Sequence, residues 1–560
     1  MKLIRAVIHN IRSIQDADIH VSDYSVIVGA NNAGKTNFIT ALRLFYENEK
    51  LSFSKDRDFP KFETDEESWI ELTFETTEDE QEQLKEEYRD TGHQLRVRRY
   101  FASADKDRVK SGQSNIFAYE KGTLSQNLFY GAKNISQAKL GSVIYIPAVS
   151  KADDTMKLTG PSPFRDLVNL VMKKAVSASP SFETLSSSFE SFNADFRAEA
   201  ASDGTSVDSL ITDINSEVGQ WGVQFGVDIN PVKPEDIVKN LLSHHIEDTQ
   251  LDGQRVNLGS HGQGLQRHLI FTLIRLSARY GKKQTKKTKD FNPDFSLLLF
   301  EEPEAFLHPP QQDILCLSLQ ELAGDAANQV FVSSHSARFI SKQLLDIPSI
   351  IRVQRASGIT SVHQVLQKDL EELLDENLGL LRAISDADGT KVDETGRLAD
   401  ESMKYFLWLD AERSGMFFGR HVVICEGATE RAFFAYLLDN QWQDLREKQV
   451  YFTDCLGKYN IHRFVGLLSA LGVSHSILYD LDGDAGKHKV INKFIDSKRT
   501  ALTTGMHAFE KDIEDYLGVP KPPKDRQDLK PLNLLKALVD GAIPDSKISD
   551  LREVIDTIMG

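Results

Sequence analysis

Cysteine is scarce in this sequence: Cys316, Cys425 and Cys455 are the three in 560 residues, and no two form a CxxC pair. That excludes a disulfide framework or a zinc ribbon and points to a reducing, cytoplasmic setting. Long apolar runs are lacking too. The strongest, such as Leu297 to Phe300, fall far short of the ~20 residues that cross a bilayer, so no membrane part is expected. The opening MKLIRAVIHNIR interrupts its apolar residues with charge and reads as a strand rather than a secretory leader. Basic residues are in deficit, 66 against 83 acidic, for a net charge of −17. As a bulk property this opposes nucleic-acid binding, but it does not forbid a basic face. Internal repeats, low-complexity tracts and sustained heptads are absent as well.

What is present is enough chain for roughly three or four domains. KLIRAVIHNIRSI, DADIHV and YSVIV read as three strands, followed by a helix from Asn37 to about Phe45. WIELTFETT and LRVRRYF have strand composition, with the acidic EDEQEQLKEEYRD between them as an exposed helix, and GSVIYIPAV reads as a buried strand. Helical periodicity then takes over from about Ser162 to Glu247. Strand and nucleotide motifs resume over 255–335, and IPSIIRVQR and TSVHQVL then read as a closing hairpin. An acidic helical connector leads to a second alternation of strands and helices beginning at HVVICE, which predicts a parallel sheet. The expected division is an α/β P-loop domain in two parts, 1–155 and 249–368, with a helical insertion at 156–248. A connector at 369–415 and a C-terminal α/β domain at 416–560 complete it.

Gly29-Ala-Asn31-Asn32-Ala-Gly34-Lys35-Thr36 is a complete GxxxxGKT between an apolar strand and a helix. Glycines let backbone N–H groups wrap phosphates, the lysine supplies a point charge to the β- and γ-phosphates, and the threonine hydroxyl reaches Mg²⁺. Phe295 to Phe300 followed by Glu301-Glu302-Pro-Glu304 has the form of a buried strand ending in carboxylates, fit to hold the metal and polarise water. His335, just beyond the strand QVFVSSHS, is placed to meet a γ-phosphate.

A second constellation begins with Val422-Val-Ile-Cys-Glu426-Gly427 and continues in Ser476-Ile-Leu-Tyr-Asp480-Leu-Asp482. Strand alternation sends Asp480 and Asp482 to one side, where both can meet Glu426 at the C-terminal edge of a parallel sheet. Oxygen ligands of this kind select Mg²⁺ or Mn²⁺ and suit phosphodiester chemistry.

The first set of motifs, with Gly259-Ser260-His261-Gly262-Gln263 between them, resembles the ATPase heads of the ABC superfamily, in particular the RecF, SMC and Rad50 branch. Ser260, Gly262 and Gln263 stand where that superfamily has its signature loop, with His261 in place of the usual glycine and Glu301 in place of the usual aspartate. The resemblance implies ATP as the nucleotide, Glu302 as general base, and a dimer in which one protomer's signature loop completes the other's site. The second set resembles TOPRIM domains. The fusion is similar to the OLD (overcoming lysogenization defect) family of ATP-dependent endonucleases, which is related to the nuclease subunit of Gabija defence systems. That resemblance covers nearly the whole chain. It implies a metal-dependent DNA endonuclease or nickase in antiphage defence, and it adds Glu430, Glu510 and Lys530 to the metal site, with Glu514, Asp512 and Asp484 as weaker acids. It also implies a homodimer or higher oligomer, with the helical insertion as a dimerisation surface. Stand-alone action, a neighbouring helicase, and a retron reverse transcriptase with its DNA all stay open as contexts. The competing reading is an SMC- or RecF-like DNA-binding ATPase in repair whose TOPRIM domain is a non-catalytic scaffold. Five lysines within 281–290, and Arg96, Arg98 and Arg99, are either solvated or structural charge or contacts to a DNA backbone.

Overall fold

The computed structural model describes the chain apart from residues 63, 134–138, 149–167, 169–178, 228–244, 257–260, 263, 267, 270, 273–275, 277–290, 292, 294, 389–402, 406 and 484–485. It divides into two compact units, Met1–Ala148 with Lys286–Gly560, and Val149–Thr285.

The first unit opens with β1 (Lys2–Ile11), β2 (Ile14–His20) and β3 (Tyr24–Val28), and α1 (Lys35–Tyr46) follows. β4 (Ser68–Glu75), β5 (Gln94–Ala102), β6 (Ile116–Glu120), β7 (Thr123–Leu128) and β8 (Ser142–Ile146) complete its N-terminal part. The second unit has helices α2 (Pro180–Ala198) and α3 (Val207–Val218), capped by Ser179 and Ser206, and a small antiparallel pair, β9 (Ile246–Asp248) and β10 (Gln254–Val256). This unit is wider than the insertion expected at 156–248 and takes in the signature segment. The signature residues Ser260 and Gln263 and the lysine run lie outside the described residues.

The first unit resumes with β11 (Ser296–Glu301), α4 (Pro309–Ala323), β12 (Asn328–Ser333) and the hairpin β13 (Ile350–Ala356) and β14 (Ile359–Gln364). One twelve-stranded sheet results, in the order β7-β6-β5-β4-β1-β2-β14-β13-β3-β12-β11-β8. β13, β3, β12, β11 and β8 are mutually parallel, whereas β7 through β2 run antiparallel. The division follows the composition. All five residues of β3 are buried, as a strand covered on both faces requires, while β1 and β2 alternate.

Helix α5 (Gln367–Asp388) leads towards the C-terminal domain. There β15 (His421–Cys425), α6 (Ala428–Asn440), β16 (Val450–Asp454), α7 (Ile461–Ala470), β17 (Ser474–Asp480), α8 (Gly486–Ser497) and β18 (Thr503–Phe509) build an all-parallel sheet ordered β16-β15-β17-β18. α9 (Ile513–Leu517), α10 (Lys530–Val539) and α11 (Asp545–Met559) close it. Its core is aromatic and aliphatic: Phe433, Phe434, Phe452, Leu478, Leu551 and Ile555.

At the end of β16 Asp454 is fully buried between Arg413 (2.8 Å) and Arg431 (3.2 Å). Losing one partner of a buried pair leaves uncompensated charge. Asp454→Asn is therefore expected to destabilise the C-terminal domain by about 3 kcal/mol, at the low end of what breaking such a pair costs. Chemical denaturation checks this, and a change well below 1 kcal/mol would contradict it.

Candidate functional site

From Val28 the chain turns through Gly29 to Gly34 into the N-terminus of α1. Two glycines are required there. Gly29 has φ of +149° and Gly34 of +108°, and a Cβ on Gly34 would lie 2.4 Å from Thr360 Oγ1. The Lys35 ammonium is buried and donates to the carbonyls of Gly29 (2.8 Å) and Ala30 (3.0 Å). Burial lowers its pKa to about 8, against the pull of Glu302 and Glu304. A cation held this way gains from an incoming phosphate, which supplies the anion that the site lacks.

Opposite, Glu301 at the end of β11 accepts from Thr36 Oγ1 (2.5 Å) and from the Tyr145 hydroxyl (2.6 Å). The two residues expected to share a magnesium ion therefore meet directly. Glu302 Oε1 pairs with His335 Nε2 at 3.2 Å, and His335 Nδ1 lies 3.3 Å from Lys35 Nζ. Burial and the Lys35 charge lower the His335 pKa. A neutral imidazole facing Glu302 is suited to orient a carboxylate and report on a phosphate beside it. Lys35, Thr36, Glu302 and His335 border a cavity of about 600 Å³ that also takes in Asn31, Asn32 and Gly34. Its neighbour, of about 520 Å³, is lined by Arg12, Ser13, Asn37, Arg57 and Phe59 among others, none of which the motif reading singled out. Tyr145 was missed as well. Its sequence signal is an aromatic in a segment that reads as a buried strand; β8 is instead the last strand in the sheet order, beside β11, and only Ile146 of it is buried.

In the C-terminal domain Glu426 directly follows β15 and Asp480 ends β17, so parallel neighbours deliver both carboxylates to one sheet edge. The backbone N–H of Asp480 donates to Glu426 Oε2 at 3.3 Å. Glu430 sits in the first turn of α6, where its carboxylate accepts from the Gly427 N–H (3.0 Å). The i, i+4 spacing of Glu426 and Glu430 predicts a shared helix face, but Glu426 precedes α6, and it is the Gly427 cap that holds Glu430. Asp482 has left the strand, with φ of +52°, and strand alternation therefore does not place it. Its carboxylate is held by Lys458 Nζ (2.7 Å), which also donates to the Asp480 carbonyl (2.6 Å), and lies 3.3 Å from His488 Nδ1. Lys458 is almost wholly buried and was not anticipated.

Glu510 is exposed, whereas Glu514 on α9 is 1% exposed and in ion-pair contact with Lys530 at 3.2 Å. Among the described residues Glu514 Oε1 and Oε2 have no other hydrogen-bond donor. Asp512 is paired with Lys521. Asp484 lies outside the described residues.

The electrostatics mark this as a set of acids short of positive charge. Burial, then Glu426 and Glu430, push Asp480 up to about 8; burial pushes Glu430 to about 7 and raises Glu426. Lys530, drawn down by burial but held up by Glu514, Glu430 and Asp480, stays charged. Two ammoniums, Lys530 and Lys458, face the five carboxylates of Glu426, Glu430, Asp480, Asp482 and Glu514, and a divalent cation fits that deficit. Among the described residues no three acids, imidazoles or thiols already stand as a finished ligand set. The acids line the edge, and a bound ion would have to draw them inward.

The arginines of β5 are structural. Arg96 and Arg98 bond Glu71 (2.5 and 2.9 Å), while Arg99 donates to the Phe45 carbonyl at the end of α1 (2.5 Å).

Comparison with known proteins agrees with this architecture. The model of the AAA ATPase domain family matches residues 1–154 and 164–340, more than half of the chain. The "Overcoming lysogenization defect protein-like, TOPRIM domain" model matches residues 417–482. The Old nuclease of Escherichia phage P2 is 22% identical over 86% of this chain and 77% of its own length. Endonuclease GajA of Bacillus cereus (strain VD045) is 22% identical over 87% of this chain and 76% of its own. Among solved structures, the Smc head domain from Pyrococcus furiosus, bound to the C-terminal domain of ScpA, matches with 12% identity and a TM-score of 0.37. That match spans 67% of this chain and 99% of the other. None of these likenesses supports a helicase or a retron reverse transcriptase as partner.

Proposed function

Since the chain belongs to the AAA ATPase domain family and carries an OLD-like TOPRIM domain, we propose that it is a DNA endonuclease or nickase that cuts at the Glu426–Asp480 edge and is gated by ATP. The observation that carries this reading is the cluster of undercompensated acids with Lys530 at the C-terminal edge of a parallel sheet, where such sheets bind ligands. Both 22%-identical relatives bear nuclease names, and those names support DNA as the substrate.

Glu426, Asp480 and Asp482 are the residues to hold a first Mg²⁺ or Mn²⁺ ion. Glu430 with Glu514, in preference to the exposed Glu510, would serve a second. Such ions activate water and neutralise the leaving oxygen. Lys530 supplies a fixed positive charge to the phosphate as charge builds on it, and Glu430 keeps the first turn of α6 in place beneath Glu426. In the head, Lys35 and the turn from Gly29 to Gly34 hold ATP, Thr36 and Glu301 take its magnesium, and Glu302 with His335 directs the attacking water.

We assign the protein to a homodimer or higher oligomer. The second unit's exposed apolar residues Leu185, Phe192, Leu210 and Trp221 support that reading, and light scattering tests it. A cytoplasmic role in antiphage defence accords with three free, buried thiols and with the absence, among the described residues, of a helix long and apolar enough to cross a membrane.

The test is supercoiled plasmid incubated with Mg²⁺ or Mn²⁺, with and without ATP. Failure to nick or linearise it under every condition would leave the TOPRIM domain a scaffold. Within the same assay Lys530→Ala is expected to slow cleavage by about 10²–10³-fold, the usual loss when a fixed transition-state charge is removed. Metal affinity, read by Mn²⁺ titration, should hold. Equal loss of both would mean that Lys530 only supports the acids.

A further inference from the structure

Between the two sites stands one residue that neither uses. Arg352 on β13 is 4% exposed, has no carboxylate partner among the described residues, and burial lowers its pKa to about 10. A buried guanidinium without a counter-ion is tolerated only when its N–H groups are spent on hydrogen bonds. Here Nε donates to the Phe417 carbonyl (3.1 Å) and Nη2 to that of Gly419 (3.2 Å). Nη1 donates to the carbonyls of Leu471 (3.1 Å) and Gly472 (3.0 Å) and to Gln354 Oε1 (3.2 Å). Four of those five acceptors are backbone of the TOPRIM domain. They lie just before β15, which leads to Glu426, and just before β17, which ends in Asp480. His363, the cross-strand partner of Arg352, packs on the same loop: a Cβ on Gly472 would be 2.4 Å from its ring.

The same hairpin grips the P-loop. Arg352 is in register with Val28, the residue before Gly29, and a Cβ on Gly29 would lie 2.3 Å from the Val353 carbonyl oxygen. Thr360 Oγ1 donates to the Ala33 carbonyl (3.0 Å) and Arg355 Nη1 to Asn32 Oδ1 (3.1 Å). A cavity of about 500 Å³, bordered by Asn31, Asn32, Arg355 and Arg420, leaves the seam room to close.

We propose that the β13–β14 hairpin couples nucleotide at the P-loop to the nuclease edge, with Arg352 as the positioning residue that holds the roots of β15 and β17. The inference rests on the nuclease reading above. The P-loop backbone that wraps the phosphates is bonded to the hairpin. Wrapping therefore shifts the hairpin, and two short, fully hydrogen-bonded strands carry the shift to Glu426 and Asp480 as rods. Lysine cannot replace the guanidinium, because three donors on one nitrogen cannot reach carbonyls on two loops in a planar fork.

The experiment measures plasmid cleavage in Mn²⁺, with and without a non-hydrolysable ATP analogue, for the full-length wild type, Arg352→Met and Arg352→Lys. In the wild type the analogue should change the rate by about fivefold or more in one direction, as coupled sites usually show. Both variants should bring that ratio close to one while affinity for a fluorescent nucleotide holds. A ratio that survives in Arg352→Met, with both activities and the melting temperature lowered together, would make Arg352 a structural weld and overturn the proposal. So would a wild type indifferent to nucleotide. If the variants do not fold, amide hydrogen exchange on the wild type decides: the analogue should change protection at residues 417–421 and 471–475, and unchanged protection there refutes coupling. If no condition gives cleavage, the nuclease reading fails alone, and hydrogen exchange still tests the hairpin.

Discussion

Asp480→Asn and Glu426→Gln are each expected to slow plasmid cleavage by about 10³-fold or more, which is some 4 kcal/mol of barrier, while ATP hydrolysis continues at the wild-type rate. Both changes keep the side chain's shape and remove only charge, so they test the metal role and not packing. Stability separates them from a folding defect. Asp480 has a folded-state pKa near 8, raised first by burial, against an ordinary aspartate value of 3.8. A carboxylate whose pKa rises on folding favours the folded state only while protonated, so metal-free stability should fall as pH climbs from about 4 to 8. Asp480→Asn removes that loss. In chelator its melting temperature should match or exceed the wild type's at pH 8. Adding Mn²⁺ should then stabilise the wild type and leave the variant nearly unmoved, because binding to the folded state alone raises stability. Cleavage by Asp480→Asn at the wild-type rate would remove the nuclease from this sheet edge.

The fold is most legible in the sequence where chemistry and periodicity coincide. The P-loop, the carboxylates at the end of β11 and Glu426 after β15 each follow a run of buried apolar residues. A covered parallel strand has that composition, and the residue at its C-terminal end has few places to go. Elements of weak periodicity are hidden. TTGMHAF is β18, but glycine and threonine in place of an apolar run hide it, and the hairpin β6–β7 is hidden similarly by IFAYE and TLSQNL. The acidic stretch after β4 is α-helical over Glu78–Gln83 and 3-10 over Glu86–Tyr88, with Leu84 and Tyr88 buried rather than exposed.

At the nuclease edge the failures are of another kind. Glu510 and Glu514 lie four residues apart in AFEKDIEDYL, and only burial tells them apart. Lys458 sits on a loop after β16 and reaches Asp482 across the sheet, a contact with no local signature. Asp482 was placed by alternation, yet its backbone turns into the left-handed region directly after the strand. Arg352 stands inside a hairpin that was read as a hairpin, and its pairing with backbone carbonyls, not acids, leaves no charge pattern to find.

Lys35→Ala and Glu302→Gln are expected to stop ATP hydrolysis for different reasons, and the difference gives the direction of ATP control. Lys35 is the buried cation of the phosphate cradle. Without it a charge-assisted contact worth about 1.5–3 kcal/mol is lost, so nucleotide affinity should fall by about 10–100-fold. Glu302→Gln keeps the shape and the approach to His335, but it cannot take a proton from water. Affinity should hold and turnover should fall by about 10²–10⁴-fold, the range of a missing general base. In saturating ATP the glutamine variant is therefore held nucleotide-bound, and at ATP concentrations below its weakened affinity the Lys35 variant stays empty. If ATP gates the nuclease, their cleavage rates must lie on opposite sides of the wild type. Faster cleavage by Lys35→Ala makes ATP a restraint, and faster cleavage by Glu302→Gln makes it an activator. Equal rates, with affinity and turnover changed as stated, would mean that head and nuclease act independently. Hydrolysis at the wild-type rate in either variant would show that the P-loop cavity is not where ATP is consumed.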